Sequence, residues 1–210
     1  GVVVNRAMDV SILTKSSKFG GYCVAGIDMQ NGKWIRLVSC DGANRGPLFD
    51  RHMKYRDGSA CSILDIARVP IIKRVPSDHQ PENVLIDEGE RWEKVGRLSV
   101  GELLALHPAE EHRYLLGNAY SYITKDRIGT VGHSLVLVQV SDLEITHPDE
   151  RKTKASFRYR GTSYKDMSVT DPDHYKTPYE TENAILVLSL PDTPVNERYY
   201  YKFVAKVFPV

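Results

Sequence analysis

Residues 14–38 constrain the fold more than any other stretch of the chain. The run Thr14-Lys15-Ser16-Ser17-Lys18-Phe19-Gly20-Gly21-Tyr22-Cys23-Val24-Ala25-Gly26-Ile27-Asp28 leads into Lys33-Trp34-Ile35-Arg36-Leu37-Val38. It reads as strand, glycine turn, strand, short turn, strand. Strand side chains alternate faces, so Ile35 and Leu37 share one face and Trp34 and Arg36 the other. A barrel buries its aliphatic face, which predicts Ile35 and Leu37 inside and Trp34 and Arg36 outside. An exposed tryptophan beside an arginine, next to Lys-Ser-Ser-Lys, suits a stacked base and a phosphate. The commoner arrangement of such a pair is a half-buried ring with the arginine stem packed over it.

The same reading extends along the chain. Residues 10–14, 21–28, 33–38 and 61–74 are predicted strands, with Pro70 at an edge or bulge. Ser99-Val-Gly-Glu102 is a capping box ahead of Leu103, Leu104 and Leu106, which starts a short helix. A second strand-rich block covers 133–140, 155–160, 163–169, 183–190 and 198–208. In it Ala155, Phe157 and Tyr159 form one row and Lys154, Ser156, Arg158 and Arg160 the other. Such a cationic row is commonly the solvated face of a sheet. Short strands with few helices predict a mainly β chain with short helices (α+β), built as two small β-barrels packed together. The expected division is 1–80 for the first barrel, 81–131 for a connecting helix and loop segment, and 132–210 for the second barrel. The halves show no close sequence repeat.

Length and charge narrow the function classes. The 210 residues suffice for one large domain or two small ones. A net charge of +1 gives no global electrostatic case for wrapping long duplex DNA. The 12 tyrosines against 5 phenylalanines supply rings with a hydroxyl, often used at binding surfaces and also common in barrels. Cys23, Cys40 and Cys61 form no CxxC pair, and no signal peptide or bilayer-length apolar run is evident, so a reducing cytoplasm is expected. The seven histidines form no HxH or HExxH, and Asp142, Glu144 and Asp149 read as ordinary loop acids, so neither a metal nor another cofactor is expected. No Walker loop, GxGxxG or GxSxG element is present.

What remains is His79-Gln80-Pro81-Glu82-Asn83, which joins a titratable ring, two amides and a carboxylate around a rigid proline. It suits proton transfer beside a phosphate, and it also suits a polar crossover loop that caps nearby backbone. Ser168, Thr170 and Asp171 before Pro172 either bind ligand or close a turn.

The chain resembles the dual OB-containing domain family of bacterial conflict and defence systems. The resemblance rests on Lys-Phe-Gly-Gly-Tyr-Cys-Val-Ala-Gly-Ile-Asp (18–28), Gly-Lys-Trp-Ile-Arg-Leu-Val (32–38) and Leu-Asp-Ile-Ala-Arg-Val-Pro (64–70). His-Gln-Pro-Glu-Asn-Val-Leu-Ile-Asp (79–87), Arg-Leu-Ser-Val-Gly-Glu-Leu-Leu-Ala-Leu (97–106), Phe-Arg-Tyr-Arg-Gly-Thr-Ser-Tyr (157–164), Ser-Val-Thr-Asp-Pro (168–172) and Tyr-Lys-Phe-Val-Ala-Lys-Val (201–207) extend it nearly end to end. The family usually has proline after Trp-Ile-Arg, where this chain has Leu37. The resemblance implies two OB-type barrels and nucleotide or nucleic-acid binding.

A weaker resemblance is to stand-alone ring nucleases of type III CRISPR loci. It implies cleavage of cyclic oligoadenylate in antiviral signalling; because the sequence shows no metal-ligand cluster, the expected route is metal-independent attack of a ribose 2′-OH on the adjacent phosphate. On that reading His79 is the general base or acid, Lys18 and Arg36 hold the phosphate, and Trp34 or a tyrosine stacks adenine. Lys15, Ser17, Gln80, Glu82, Asn83, Arg158, Ser168, Thr170, Asp171 and Lys202 complete a ligand cleft between or beside the barrels. The alternatives are a non-catalytic nucleic-acid or nucleotide sensor and a protein-binding scaffold. The expected partner is a cyclic oligonucleotide or short single-stranded nucleic acid, with no membrane and with room for a homodimer.

Overall fold

The computed structural model describes residues 6–210. They divide into two compact units. The first runs to Ser77 and adds Glu82–Pro108; the second comprises Asp78–Pro81 and Ala109–Val210.

In the first unit the strands are β1 (Arg6–Lys18), β2 (Gly21–Asp28), β3 (Trp34–Val38), β4 (Asp65–Arg74), β5 (Asn83–Ile86) and β6 (Glu93–Arg97). Phe19 and Gly20 both have positive φ, the backbone that a two-residue hairpin between right-twisted strands requires. The long β1 shifts register between Ile12 and Thr14 and pairs on both sides, with β2 and with β4. A Cβ on Gly26 would strike the Ser11 carbonyl, so only glycine lets β2 lie that close to β1. The run β1-β2-β3-β5-β4 returns to β1, and β6 adds to β4. β3 and β5 are parallel. Pro70 lies in β4 beside the register shift at Ile71/Lys73, in line with its expected place at a bulge. Asp65 opens β4, and its buried carboxylate accepts from Tyr55 Oη at 2.7 Å, Ser62 N at 3.0 Å and Arg97 Nη1 at 3.0 Å. Burial raises the Asp65 pKa, and these donors with the nearby Lys94 more than offset it, so the group stays below the ordinary carboxylate value. The expected capping box is present: Ser99 Oγ accepts from Glu102 N and Glu102 Oε1 accepts from Ser99 N, starting the helix Val100–Leu106.

The second unit contains β7 (Tyr122–Thr124), β8 (Leu135–Asp149), β9 (Lys152–Tyr159), β10 (Thr162–Val169), β11 (Tyr179–Ser189), β12 (Tyr199–Tyr201) and β13 (Phe203–Pro209). Its closed barrel runs β8-β9-β10-β13-β11 and back to β8, with β10 and β13 parallel. Both rings therefore follow one order: first, second, third, fifth, fourth strand, with third and fifth parallel. The halves share a topology that their sequences do not advertise. Arg160 and Gly161 repeat the positive-φ hairpin between β9 and β10.

Two differences from the sequence reading have clear causes. β5 falls in the segment assigned to a connection, yet it closes the first barrel by lying between β3 and β4. Four residues with no polar member beyond Asn83 carry no alternation to mark them as a strand. The predicted strand 198–208 is two strands, β12 and β13, with Lys202 turned inward at the break. Each barrel has its own core. Val10, Ile12, Val24, Ile35, Leu37 and Trp92 sit in the first, and Val138, Phe157, Tyr164, Leu186 and Val204 in the second.

Candidate nucleic-acid interface

An OB-type barrel binds oligonucleotides on the outer face of its second and third strands and on the loops joining strands one to two and four to five. In the first unit that outer face carries Cys23, Ala25 and Ile27 from β2 and Trp34 and Arg36 from β3, with Ala25 opposite Arg36 and Ile27 opposite Trp34. Ile35 and Leu37 point into the core as predicted. Arg36 does not face solvent: it is 3% exposed, its Nη1 donates to Cys23 Sγ, and Ala25 and Ile27 beside it are fully buried. Arg36 thus lies on the face opposite Ile35 and Leu37 as expected, and only its expected exposure to solvent is corrected. Alternation identifies two faces but not which one water reaches, and here both are covered. Trp34 is half-buried and meets the His107 ring edge-on at 5.6 Å, while His107 Nδ1 donates to the Gly32 carbonyl at 2.7 Å.

The other residues singled out on the first unit lie near the β1–β2 hairpin. Lys15 Nζ donates to the Cys61 carbonyl at 3.1 Å and lies 5.6 Å from the Tyr22 ring. Lys18 Nζ donates to the Arg45 carbonyl at 3.2 Å, and Ser17 is exposed.

The His79–Asn83 segment divides between the units. His79 is 6% exposed, donates through Nε2 to the Pro191 carbonyl at 2.7 Å and meets the Tyr200 ring edge-on at 4.9 Å. Gln80 Nε2 donates to the Leu190 carbonyl at 3.0 Å. In the first unit Glu82 accepts from Arg36 N through its backbone carbonyl at 3.0 Å, and Asn83 pairs with Arg36 as β5 begins. Glu82 and Asn83 are both buried. These contacts are those of a packed crossover loop.

The equivalent face of the second barrel is different. Ala155, Phe157 and Tyr159 point inward, and Lys154, Ser156, Arg158 and Arg160 form the outer row, as the alternation predicts. Arg158 is exposed, and among the described residues its guanidinium makes no hydrogen bond or ion pair. Arg160 donates through Nη1 to the His112 carbonyl at 3.2 Å. On β10, Lys165 is exposed next to Asp166, and Ser168 Oγ accepts from Lys154 Nζ at 2.8 Å. Thr170 is half-buried and donates its N–H to the Val204 carbonyl. Asp171 closes a turn: its buried carboxylate accepts from Asp173 N and Val207 N, each at 3.1 Å, with Lys206 Nζ 3.5 Å away. Among the described residues no cluster of histidine, cysteine and acids fits a metal ion.

Lys202 lies in the barrel's fourth-to-fifth strand connection and is fully buried. Its Nζ donates to the Leu115 carbonyl at 2.7 Å, the Asn118 carbonyl at 2.9 Å, Asn118 Oδ1 at 2.7 Å and the Tyr120 carbonyl at 2.7 Å. Burial pulls its ammonium down to about 7, while the surrounding oxygens work against that loss of charge. It is a staple beneath a surface and contacts no solvent.

That surface escaped the sequence reading. β12 pairs antiparallel with β7, setting Tyr201 opposite Tyr122 and Tyr199 opposite Thr124. Tyr120 stacks on Tyr122 at 5.9 Å with planes 20° apart, and Tyr122 meets Tyr199 at 5.2 Å. The signal was the alternation in Tyr199-Tyr200-Tyr201 together with Tyr120-x-Tyr122, which a single long strand over 198–208 concealed.

No curated protein matches the chain. The model of the dual OB-containing domain matches residues 8–207. With two barrels of the same ring order and a match that spans both of them, the chain belongs to the dual OB-containing domain family.

Proposed function

We propose that the second barrel binds short single-stranded nucleic acid or a cyclic oligonucleotide, with phosphates along Lys154, Arg158 and Lys165. The observation that carries this reading is the contrast between equivalent faces. The β9–β10 face is exposed and bears cations, whereas Ala25, Ile27 and Arg36 of the β2–β3 face are buried. Asp166 on the same face and the net charge of +1 argue for a short ligand rather than a wrapped duplex.

The finer reading, cleavage of cyclic oligoadenylate by 2′-OH attack, assigns proton transfer to His79 and phosphate contacts to Lys18 and Arg36. His79 Nε2 is engaged on the Pro191 carbonyl and Arg36 is buried, which favours the non-catalytic sensor. Incubation with cyclic oligoadenylate in EDTA is therefore expected to return the intact ring. Linear products ending in a 2′,3′-cyclic phosphate would restore the nuclease.

The binding reading is tested with an Arg158→Glu, Lys165→Glu variant and a fluorescein-labelled single-stranded 12-mer in an anisotropy titration. Charge-assisted hydrogen bonds are worth about 1.5–3 kcal/mol, so affinity is expected to fall at least about tenfold. The salt dependence should weaken by about 0.7 in log–log slope for each phosphate that is no longer neutralised. Thermal stability should change little, since both side chains are exposed. Unchanged affinity and slope would move the interface elsewhere.

A further inference from the structure

Resting on the reading of the second barrel as the binding unit, we propose that the tyrosine ladder of β7 and β12 is a stacking platform for unpaired bases. Tyr120 is 64% exposed and Tyr201 36% exposed, so Tyr120 above all, and Tyr201 in part, stay open to water although Tyr120, Tyr122, Tyr199 and Tyr201 already contact one another. Aromatic faces of this kind take successive bases without sequence preference, because every base has a π-face.

The platform is rigid. Asn118 Nδ2 donates to the Tyr122 carbonyl at 3.0 Å, Asn118 Oδ1 accepts from Tyr120 N at 3.0 Å, and Lys202 N donates to the Ser121 carbonyl at 2.9 Å. Lys202 Nζ fastens the same loop from below. A fully buried lysine is a costly device for shaping a surface loop, and its effect is to fix ring positions before any ligand arrives.

Charge and continuity select the occupant. Exposed Lys125 and Arg198 lie beside Tyr199, and a shallow hollow of about 480 Å³ lies along Thr124, Lys125, Arg198 and Tyr199, with Asp126 and Glu197. The carboxylates make the hollow itself nearly neutral, which suits a base rather than a phosphate. β12 runs into β13, whose Phe203 pairs with Ser168, the acceptor of Lys154. The chain thus passes from the ladder through the break at Lys202 into the strand that pairs with β10, so a single chain of nucleotides can place bases on the ladder and phosphates on the cationic face.

The test compares labelled dT12 with an abasic 12-mer that keeps every phosphate. Stacking of one base changes affinity by about 5- to 150-fold, so wild type should bind dT12 at least about fivefold more tightly. A Tyr120→Leu, Tyr201→Leu variant should lose that preference and bind the abasic strand as wild type does, while Tyr120→Phe, Tyr201→Phe should keep it. Equal wild-type affinity for both strands, or a preference retained in the leucine variant, overturns the platform alone. Binding of neither strand overturns the reading of the second barrel as well. Equal affinities together with self-association that the leucine variant abolishes would reassign the ladder to a contact between copies.

Discussion

Lys202→Met is expected to destabilise the second barrel by about 3–5 kcal/mol. Methionine approximates the length of the lysine stem but donates nothing. The Leu115 and Tyr120 carbonyls would lose the Nζ donor at 2.7 Å, while the Asn118 carbonyl and Oδ1 would lose it but keep Tyr164 Oη and Tyr120 N. Each buried acceptor left without a partner costs about 1–3 kcal/mol, and relaxation of the loop toward water recovers part of it. Urea unfolding reads the loss, and hydrogen exchange across residues 115–122 should show it locally, because those amides share the stapled loop. A change below about 1 kcal/mol would mean that the loop holds its shape without the ammonium. Had Lys202 been a ligand contact at the surface, the substitution would spare stability and reduce affinity.

Arg36→Ala is expected to cost about 2–4 kcal/mol in the first barrel. Arg36 is nearly inaccessible, its Nη1 donates to Cys23 Sγ, and its strand is hydrogen-bonded on both sides by β2 and β5. Truncation removes the packing of a long stem and opens a cavity that a barrel wall cannot readily collapse. It also removes the Nη1 hydrogen bond to Cys23 Sγ, a weak contribution because a thiol sulfur is a poor acceptor. Thermal unfolding of the variant is the measurement. Stability within about 0.5 kcal/mol of wild type, with nucleotide affinity lost, would return Arg36 to the surface role that strand alternation alone suggested.

Arg36 also marks the limit of what the sequence discloses. Period-two patterning separates Ile35 and Leu37 from Trp34 and Arg36, and Ala155, Phe157 and Tyr159 from Lys154, Arg158 and Arg160, and both separations hold. Which polar row is solvated depends on what packs over it, and that is a tertiary fact. Near residue 32 the cover includes Leu106 and His107, more than 70 residues away in sequence. The capping box at Ser99 and Glu102 was legible because it is local. β5 was not, because it is four residues long and its parallel partner β3 is distant in sequence. His79, Gln80 and Asp171 looked like site residues because polar side chains in loops serve ligands and backbone alike. Only their partners, the Pro191 and Leu190 carbonyls and the Asp173 and Val207 amides, distinguish the two roles. The tyrosine ladder needed the break at Lys202 to become visible, since one continuous strand would have placed Tyr199 and Tyr201 in the row of Phe203.

Nucleic acid is expected on the exposed face of the second barrel and its tyrosine ladder. Photocrosslinking of wild-type protein to a short single strand carrying 5-iodouridine, followed by peptide mapping, tests it most directly. The expected crosslinks fall within residues 152–168 and on Tyr120, Tyr122, Tyr199 or Tyr201, and they fade as salt rises. Crosslinks concentrated on Trp34 and the β2–β3 face, or none under conditions where the strand is bound, would contradict the account.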